Sequence, residues 1–207
     1  MDVRTSTLVV TLLIGVTSQT EAASSTDLAV TGLIIPSACS PSLSGGGVID
    51  HGKVAARDLN PDTHTSLQRQ VMRLNVRCDG PTLFSLSTLD NREGTSAIQD
   101  RFHGLGMTAN DEKLGSASLR LSTAVADTEA VRTIVSTDGG ATWIEGTYLG
   151  HTAMTAVASA TGSLTPIAVQ ELDADVRLNT MIARSDSLTL VDEVPLDGHV
   201  TVQLRYL

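Results

Sequence analysis

The C-terminal segment of the chain carries the pattern that most constrains its fold. Apolar and polar residues alternate there one by one, in the order Val200, Thr201, Val202, Gln203, Leu204, Arg205 and Tyr206. This period of two predicts an antiparallel strand with one buried face and one solvated face. Short strand-like segments recur along the chain at intervals of about 8–12 residues, and no segment shows three turns of helical period. The sequence therefore predicts an all-β fold, a sandwich or a barrel.

The first 22 residues have the features of a signal peptide. Arg4 is followed by a short apolar core, Leu8–Val16, and small residues precede a cleavage site after Ala22. The apolar core is too short to span a bilayer as a helix, and a buried N-terminal strand or helix is the alternative interpretation. We predict a signal peptide at 1–22, a single domain at 23–207, and export to the periplasm or the cell surface without a later transmembrane segment.

Export changes how the two cysteines, Cys39 and Cys78, are interpreted. Two cysteines in an exported chain most simply form one disulfide, which here would close a loop of about 40 residues and stabilise the fold by roughly 3–4 kcal/mol. A two-cysteine metal site is the weaker alternative, because the five histidines are dispersed and none has finger-like spacing. The alternating segment that ends in the second cysteine has the predicted inward set Met72, Leu74, Val76 and Cys78.

Charge and composition exclude several classes of function. The net charge is −9, from 14 Lys and Arg against 23 Asp and Glu, so no basic stripe is present to follow a phosphate backbone. Aromatic residues make up 2% of the chain, too few for a platform that stacks bases or sugars. No pairing of a nucleophile with a base is evident, and His51 and His103 are predicted to be surface or turn residues. We therefore predict neither an enzyme nor a bound cofactor or metal.

One short motif is specific. The pattern S-x-D-x-G-x-T-W, called the Asp box below, is matched at every fixed position by Ser136, Asp138, Gly140, Thr142 and Trp143. It resembles a hairpin that is repeated in the propeller blades of sialidases, where it is a fold element remote from catalysis. Because it occurs once here, we interpret it as a stable turn in which the Asp caps backbone amides and the Trp packs beneath the hairpin. A contact with carbohydrate is the alternative interpretation.

Three segments near the N-terminus resemble the subunits of chaperone–usher fimbriae. They are a glycine-containing strand that ends in a cysteine (31–39), a short strand that ends in glycine (48–54), and a second cysteine followed by a turn (76–80). The penultimate Tyr206 is also similar to those pilins. The middle and the end of the chain (110–121, the Asp box and 196–207) look like the GltF-like family of exported bacterial proteins of unknown function.

The resemblance implies an immunoglobulin-like, pilin-type β-sandwich with one disulfide. Pilins of this class lack their last strand, and a chaperone strand and then a neighbouring subunit fill the resulting groove by β-augmentation. Carried over to this chain, the strand with Val200, Val202, Leu204 and Tyr206 would border the groove. The partners would be a periplasmic chaperone, an usher and other fimbrial subunits, with no nucleic acid.

The chain departs from the pilin pattern before its first strand. Only Ala23–Asp27 precede Leu28, and these residues are too few and too polar to act as a donor strand. The chain is also long for a pilin, and the surplus around 131–165 is expected to supply a strand in cis if the domain is self-complete. Two hypotheses follow: a non-catalytic fimbria-type subunit that accepts a strand, or a self-complete periplasmic module that binds a small ligand or glycan.

Overall fold

The computed structural model describes residues 38–207, which contain twelve β-strands and three short 3₁₀ helices. The strands are β1 (Cys39–Leu43), β2 (Thr65–Ser66), β3 (Gln70–Thr82), β4 (Phe84–Asp90), β5 (His103–Gly104), β6 (Gly115–Ala126), β7 (Glu129–Ser136), β8 (Ile144–Glu145), β9 (Tyr148–Leu149), β10 (Met154–Ser159), β11 (Val169–Ile182) and β12 (Val200–Tyr206). The 3₁₀ helices span Ser44–Gly47, Ala56–Asp58 and Ser185–Ser187. The predicted signal peptide and residues 31–37 of the strand predicted at 31–39 lie outside the described residues.

The strands form one sheet that almost closes on itself. Its main path runs β1-β3-β11-β6-β7-β10-β4-β12, and every pairing between these strands is antiparallel. We call β1, β3, β11 and β6 the first half and β7, β10, β4 and β12 the second half. The two terminal strands meet at one end, where the backbone N–H of Cys39 donates to Tyr206 Oη at 3.1 Å. The fold is thus all-β, with a nearly closed, barrel-like sheet.

A tight hairpin joins the two halves. Strands β6 and β7 pair only next to their turn, and the two turn residues, Asp127 and Thr128, have φ angles of +47° and +74°. Left-handed backbone at both central positions gives the turn a twist that suits a hairpin, and aspartate tolerates it better than most residues. The Asp127 carboxylate also accepts hydrogen bonds from the backbone N–H groups of Gln170 and Glu171, which ties the turn to β11.

Side chains from both halves share one main core. It consists mostly of aliphatic residues, with Phe84 as its one aromatic member among the described residues. Its largest fully buried side chains are Leu74, Val76, Leu86, Leu121, Leu149, Val169, Leu172 and Val176. The core follows from strict alternation, because on β3 the side chains of Leu74, Val76 and Cys78 are buried while Arg73 and Arg77 are exposed. Met72, the fourth residue of the predicted inward set, is half-buried.

The segment around 131–165 does not lie at the open edge of the sheet. It supplies β7 to β10, and β10 pairs with β7 on one side and β4 on the other, inside the second half of the sheet. The sequence of β10 shows no alternation of apolar and polar residues, because the strand consists mostly of small residues and is buried on both faces. Strand β5 is only two residues long, and a Cβ at Gly104 would lie 2.5 Å from the carbonyl oxygen of Arg92, so the glycine permits a close approach.

Candidate functional site

The edge of β12 that faces away from β4 is the main candidate site. The N–H of Asn91 donates to the carbonyl of His199, and the N–H of Leu207 donates to the carbonyl of Leu83. Both bonds lie in the register that pairs β12 with β4, so the odd-numbered residues of β12 exchange hydrogen bonds with β4. The even-numbered residues therefore direct their N–H and C=O groups to the opposite edge. No strand pairs with that edge among residues 38–207.

The same even-numbered residues point their side chains toward the core but do not reach full burial. Val200, Val202 and Leu204 are half-buried, and Tyr206 is 43% exposed. Val202 and Leu204 pack against the main core. They sit directly opposite Thr88 and Leu86 of β4, which are buried. One side of Val202 and of Leu204 is thus covered by the protein, and the other side is exposed to solvent.

Strand β1 lies at the other end of the sheet and flanks the same opening. Its Cys39 and Leu43 are half-buried and pack against the main core, as Val202 and Leu204 of β12 do. The Cys39–Tyr206 hydrogen bond fixes one end of the opening. The structure therefore brings the predicted edge residues and Cys39 to one place.

The predicted disulfide joins the first two long strands. Cys39 and Cys78 are directly opposite each other in the β1–β3 register, with their Cα atoms 4.0 Å apart, and they are bonded to each other. Ala38 adds two hydrogen bonds to Asp79 at the same end of β1, one through each of its backbone groups. The bridge therefore holds β1 against β3 beside the opening.

The Asp box forms a self-contained turn between β7 and β8. The Asp138 carboxylate accepts hydrogen bonds from the amide and the hydroxyl of Thr142 and from the Ser136 hydroxyl, and these bonds hold the pKa of Asp138 well below its usual range. The indole N–H of Trp143 donates to the Gly140 carbonyl at 3.0 Å, and its ring packs on the small core cluster around Ile134. Every fixed residue of the motif thus has a local role in the turn.

Sequence reasoning was wrong about His103. The side chain is fully buried, its Nδ1–H donates to the carbonyl of Ala117 at 3.3 Å, and the Thr88 hydroxyl donates to Nε2 at 2.7 Å. The ring also meets the ring of His151 edge-on, with 5.2 Å between centroids. No local pattern marks this position, because strands distant in sequence supply its partners. Burial lowers the pKa of His103, and the hydrogen bond to the Ala117 carbonyl and the charge of nearby Asp90 only partly offset that effect.

The buried histidine predicts a loss of stability in weak acid. Below about pH 6.5 the unfolded chain takes up a proton at His103 that the folded state resists, so stability falls as the pH drops. We expect melting temperatures of the His103→Gln variant, measured between about pH 7 and pH 5, to depend less on pH than those of the wild type. His64→Gln, at an exposed histidine, is the control and should follow the wild type. Parallel curves for all three proteins would contradict this role of His103.

Metal and membrane sites receive no support from the described residues. No group of three or more His, Cys, Asp or Glu side chains there is arranged to hold a metal ion. The carboxylate of Asp90 accepts hydrogen bonds from the backbone N–H groups of Arg92 and Gly104, each at 2.9 Å. Among residues 38–207, no helix has both the length and the apolar character needed to cross a membrane.

Comparison with known proteins finds one family model and one similar protein for this disulfide-linked all-β chain. A protein-family model described as "Protein of unknown function (DUF1120)" matches residues 28–103, the region of both cysteines and β1 to β4. The chain is also similar to Protein GltF of Escherichia coli (strain K12), at 28% identity over an alignment that covers 88% of each protein. Both findings support the resemblance to GltF-like proteins, and the relation to chaperone–usher pilins stays a prediction.

Proposed function

We propose that this chain is an exported, non-catalytic subunit of the fimbrial type, which accepts a β-strand at the open edge of β12. Two features of that edge together carry the proposal. Its backbone N–H and C=O groups have no partner strand among residues 38–207, and its apolar side chains are only half-buried. An added strand would hydrogen-bond to residues 200–206 and cover Val202 and Leu204 with its own alternating side chains. A periplasmic chaperone would supply this strand first, and a neighbouring subunit, placed by an usher, would supply it later.

The composition of β12 supports a pairing edge. Soluble proteins usually protect an edge strand with lysine, proline, a bulge or inward-pointing charge. The seven residues of β12 contain no lysine or proline, their register with β4 is unbroken, and the one charged residue, Arg205, is on the outward face. Such an edge favours pairing with another strand. An acceptor of donor strands needs this property, which would be a liability for a free monomer.

The two-halves arrangement supports a pilin-type sandwich as part of the proposal. In the first half β1, β3, β11 and β6 are neighbours, and in the second half β12, β4, β10 and β7 are neighbours, with one core between them. A strand between β12 and β1 would complete the side of such a sandwich that lies opposite the β6–β7 hairpin. The disulfide would then stiffen the β1 wall of the acceptor groove.

The proposal predicts a specific complex with a chaperone. The full chain, exported to a bacterial periplasm together with a chaperone of the chaperone–usher class, should purify as a 1:1 complex. Without the chaperone, non-reducing electrophoresis of unheated samples should show no ladder of oligomers, because the residues before Leu28 are too few and too polar to donate a strand. A stable monomer that binds no chaperone would contradict the proposal.

Two substitutions on β12 make this test specific. Val202→Pro removes an N–H that faces the open edge, so β12 keeps its hydrogen bonds to β4 while losing a bond to any added strand. The variant should fold, retain the disulfide and fail to form the complex. The control Thr201→Ala changes the outward face of β12 and should behave as the wild type. Equal complex formation by Val202→Pro would place the chaperone contact elsewhere.

A further inference from the structure

The outer face of β3 and β11 pairs opposite charges row by row. Arg73 lies directly opposite Asp175, with 3.6 Å between Nε and Oδ1, and Arg77 lies directly opposite Glu171 at 3.9 Å. Between these rows Asn75 donates to the carboxylate of Asp173, which also binds Arg77. Opposite charges that lie directly across from each other stabilise neighbouring strands, so the charged side chains in this part of the face pair with one another.

The next row breaks this scheme. Arg177 of β11 lies directly opposite Arg120 of β6, with Val71 on the far side of Arg177 and Tyr148 on the far side of Arg120. Both arginines are exposed. Arg177 has no hydrogen bond or ion pair among the described residues, and the Arg120 guanidinium makes one long contact, 3.4 Å to Thr147 Oγ1. The nearest acid along β11, Asp175, is engaged by Arg73.

Two arginines directly opposite each other repel, and neighbouring antiparallel strands are only about 4.8 Å apart. This repulsion does not reflect a generally basic surface, because the whole chain has a net charge of −9. A third guanidinium, that of Arg101, lies 6.0 Å from the centre of the Tyr148 ring, at the end of the same row. Positive charge is therefore concentrated here on an otherwise acidic protein.

We propose that Arg120 and Arg177 form a binding site for an oxyanion group, a carboxylate, sulfate or phosphate. Planar guanidinium groups match the geometry of such oxygens and donate to them in pairs, so a bound oxyanion would replace the repulsion by charge-assisted hydrogen bonds. The exposed side of Tyr148 borders the site and would contact the remainder of a larger ligand. The site is on the outward face of the first half of the sheet, so the inference does not rest on strand acceptance by β12.

Thermal melting in two sodium salts tests the site. At equal ionic strength, sodium sulfate should raise the melting temperature of the full exported chain more than sodium chloride does. The Arg177→Gln variant should show a smaller difference, the part that comes from the general exclusion of sulfate from protein surfaces, and in low salt it should melt no lower than the wild type, because the repulsion from Arg120 is removed. Arg57→Gln is the matched control, since Arg57 is a highly exposed arginine outside this face, and it should keep the sulfate effect.

A titration with tetragalacturonate and with its methyl ester separates the sources of the oxyanion. Binding of the acid at least tenfold tighter than the ester, with at least a tenfold loss in Arg177→Gln, would show that the group is presented on an acidic saccharide. A sulfate effect that depends on Arg177, with no tetragalacturonate binding, would show a site for a small free oxyanion. Equal sulfate shifts in the wild type and Arg177→Gln, together with no Arg177-dependent saccharide binding, would overturn the proposal.

Discussion

Removing the Cys39–Cys78 disulfide should lower the free energy of unfolding by about 4 kcal/mol. The bridge spans 39 positions of sequence, and cross-linking a loop of that size removes many conformations from the unfolded chain. It also holds β1 in register with β3 at the point where β1 meets Tyr206. The double variant Cys39→Ala/Cys78→Ala, unfolded in urea, should show this loss.

Chemical reduction provides an independent check of the disulfide prediction. The wild type in a thiol reductant should match the double variant, whereas the exposed β1 substitution Ser42→Ala should leave stability within about 0.5 kcal/mol of the wild type. A loss below about 1 kcal/mol in the double variant would mean that β1 is held mainly by its strand pairing. Two free thiols in the exported, non-reduced protein would contradict the bridge itself.

Replacing Leu86 by alanine should cost about 2–5 kcal/mol of stability. Leu86 is 1% exposed and lies in the main core, so its truncation removes apolar contacts and leaves a cavity between the two halves. Leu89 of the same strand is the matched control, because it faces outward and is 46% exposed. Leu89→Ala should cost less than about 1 kcal/mol in the same urea experiment. Equal losses for the two leucines would contradict the assigned inner face of β4.

Local sequence patterns predicted the elements that have one face on the core and the other face in solvent. The alternation of 200–206, the buried residues of 70–78 and the hairpin that contains the Asp box all follow from sequence neighbours. The disulfide followed from the predicted export and the cysteine count. In each case the physical cause acts over a few residues or depends on composition, so the sequence is sufficient to predict the feature.

Features set by distant strands could not be predicted in this way. His103 is buried where β5 pairs with β6, hydrogen-bonded to Thr88 and Ala117, and β10 lacks a period because both of its faces are covered. The opposition of Arg120 and Arg177 exists only once β6 and β11 are paired in register. Strand order determines all three features, and no short sequence pattern specifies strand order.

Strand acceptance also separates the fimbria-type subunit from the self-complete binding module. A self-complete domain has a strand of its own on every edge that it needs to protect, whereas an acceptor has one edge that is open until a partner arrives. The backbone of β12 reports the difference directly, because adjacent residues direct their amides to opposite edges. The odd-numbered amides are therefore an internal control for the even-numbered ones.

Residue-resolved amide hydrogen exchange of the purified monomer is the most direct test. We predict that the amides of Val202, Leu204 and Tyr206 exchange rapidly while those of Thr201, Gln203 and Arg205 are protected by β4. In the complex with a chaperone, both sets should be protected. Equal protection of both sets in the isolated monomer would show that the edge is already occupied, and would contradict the account of the chain as a strand acceptor.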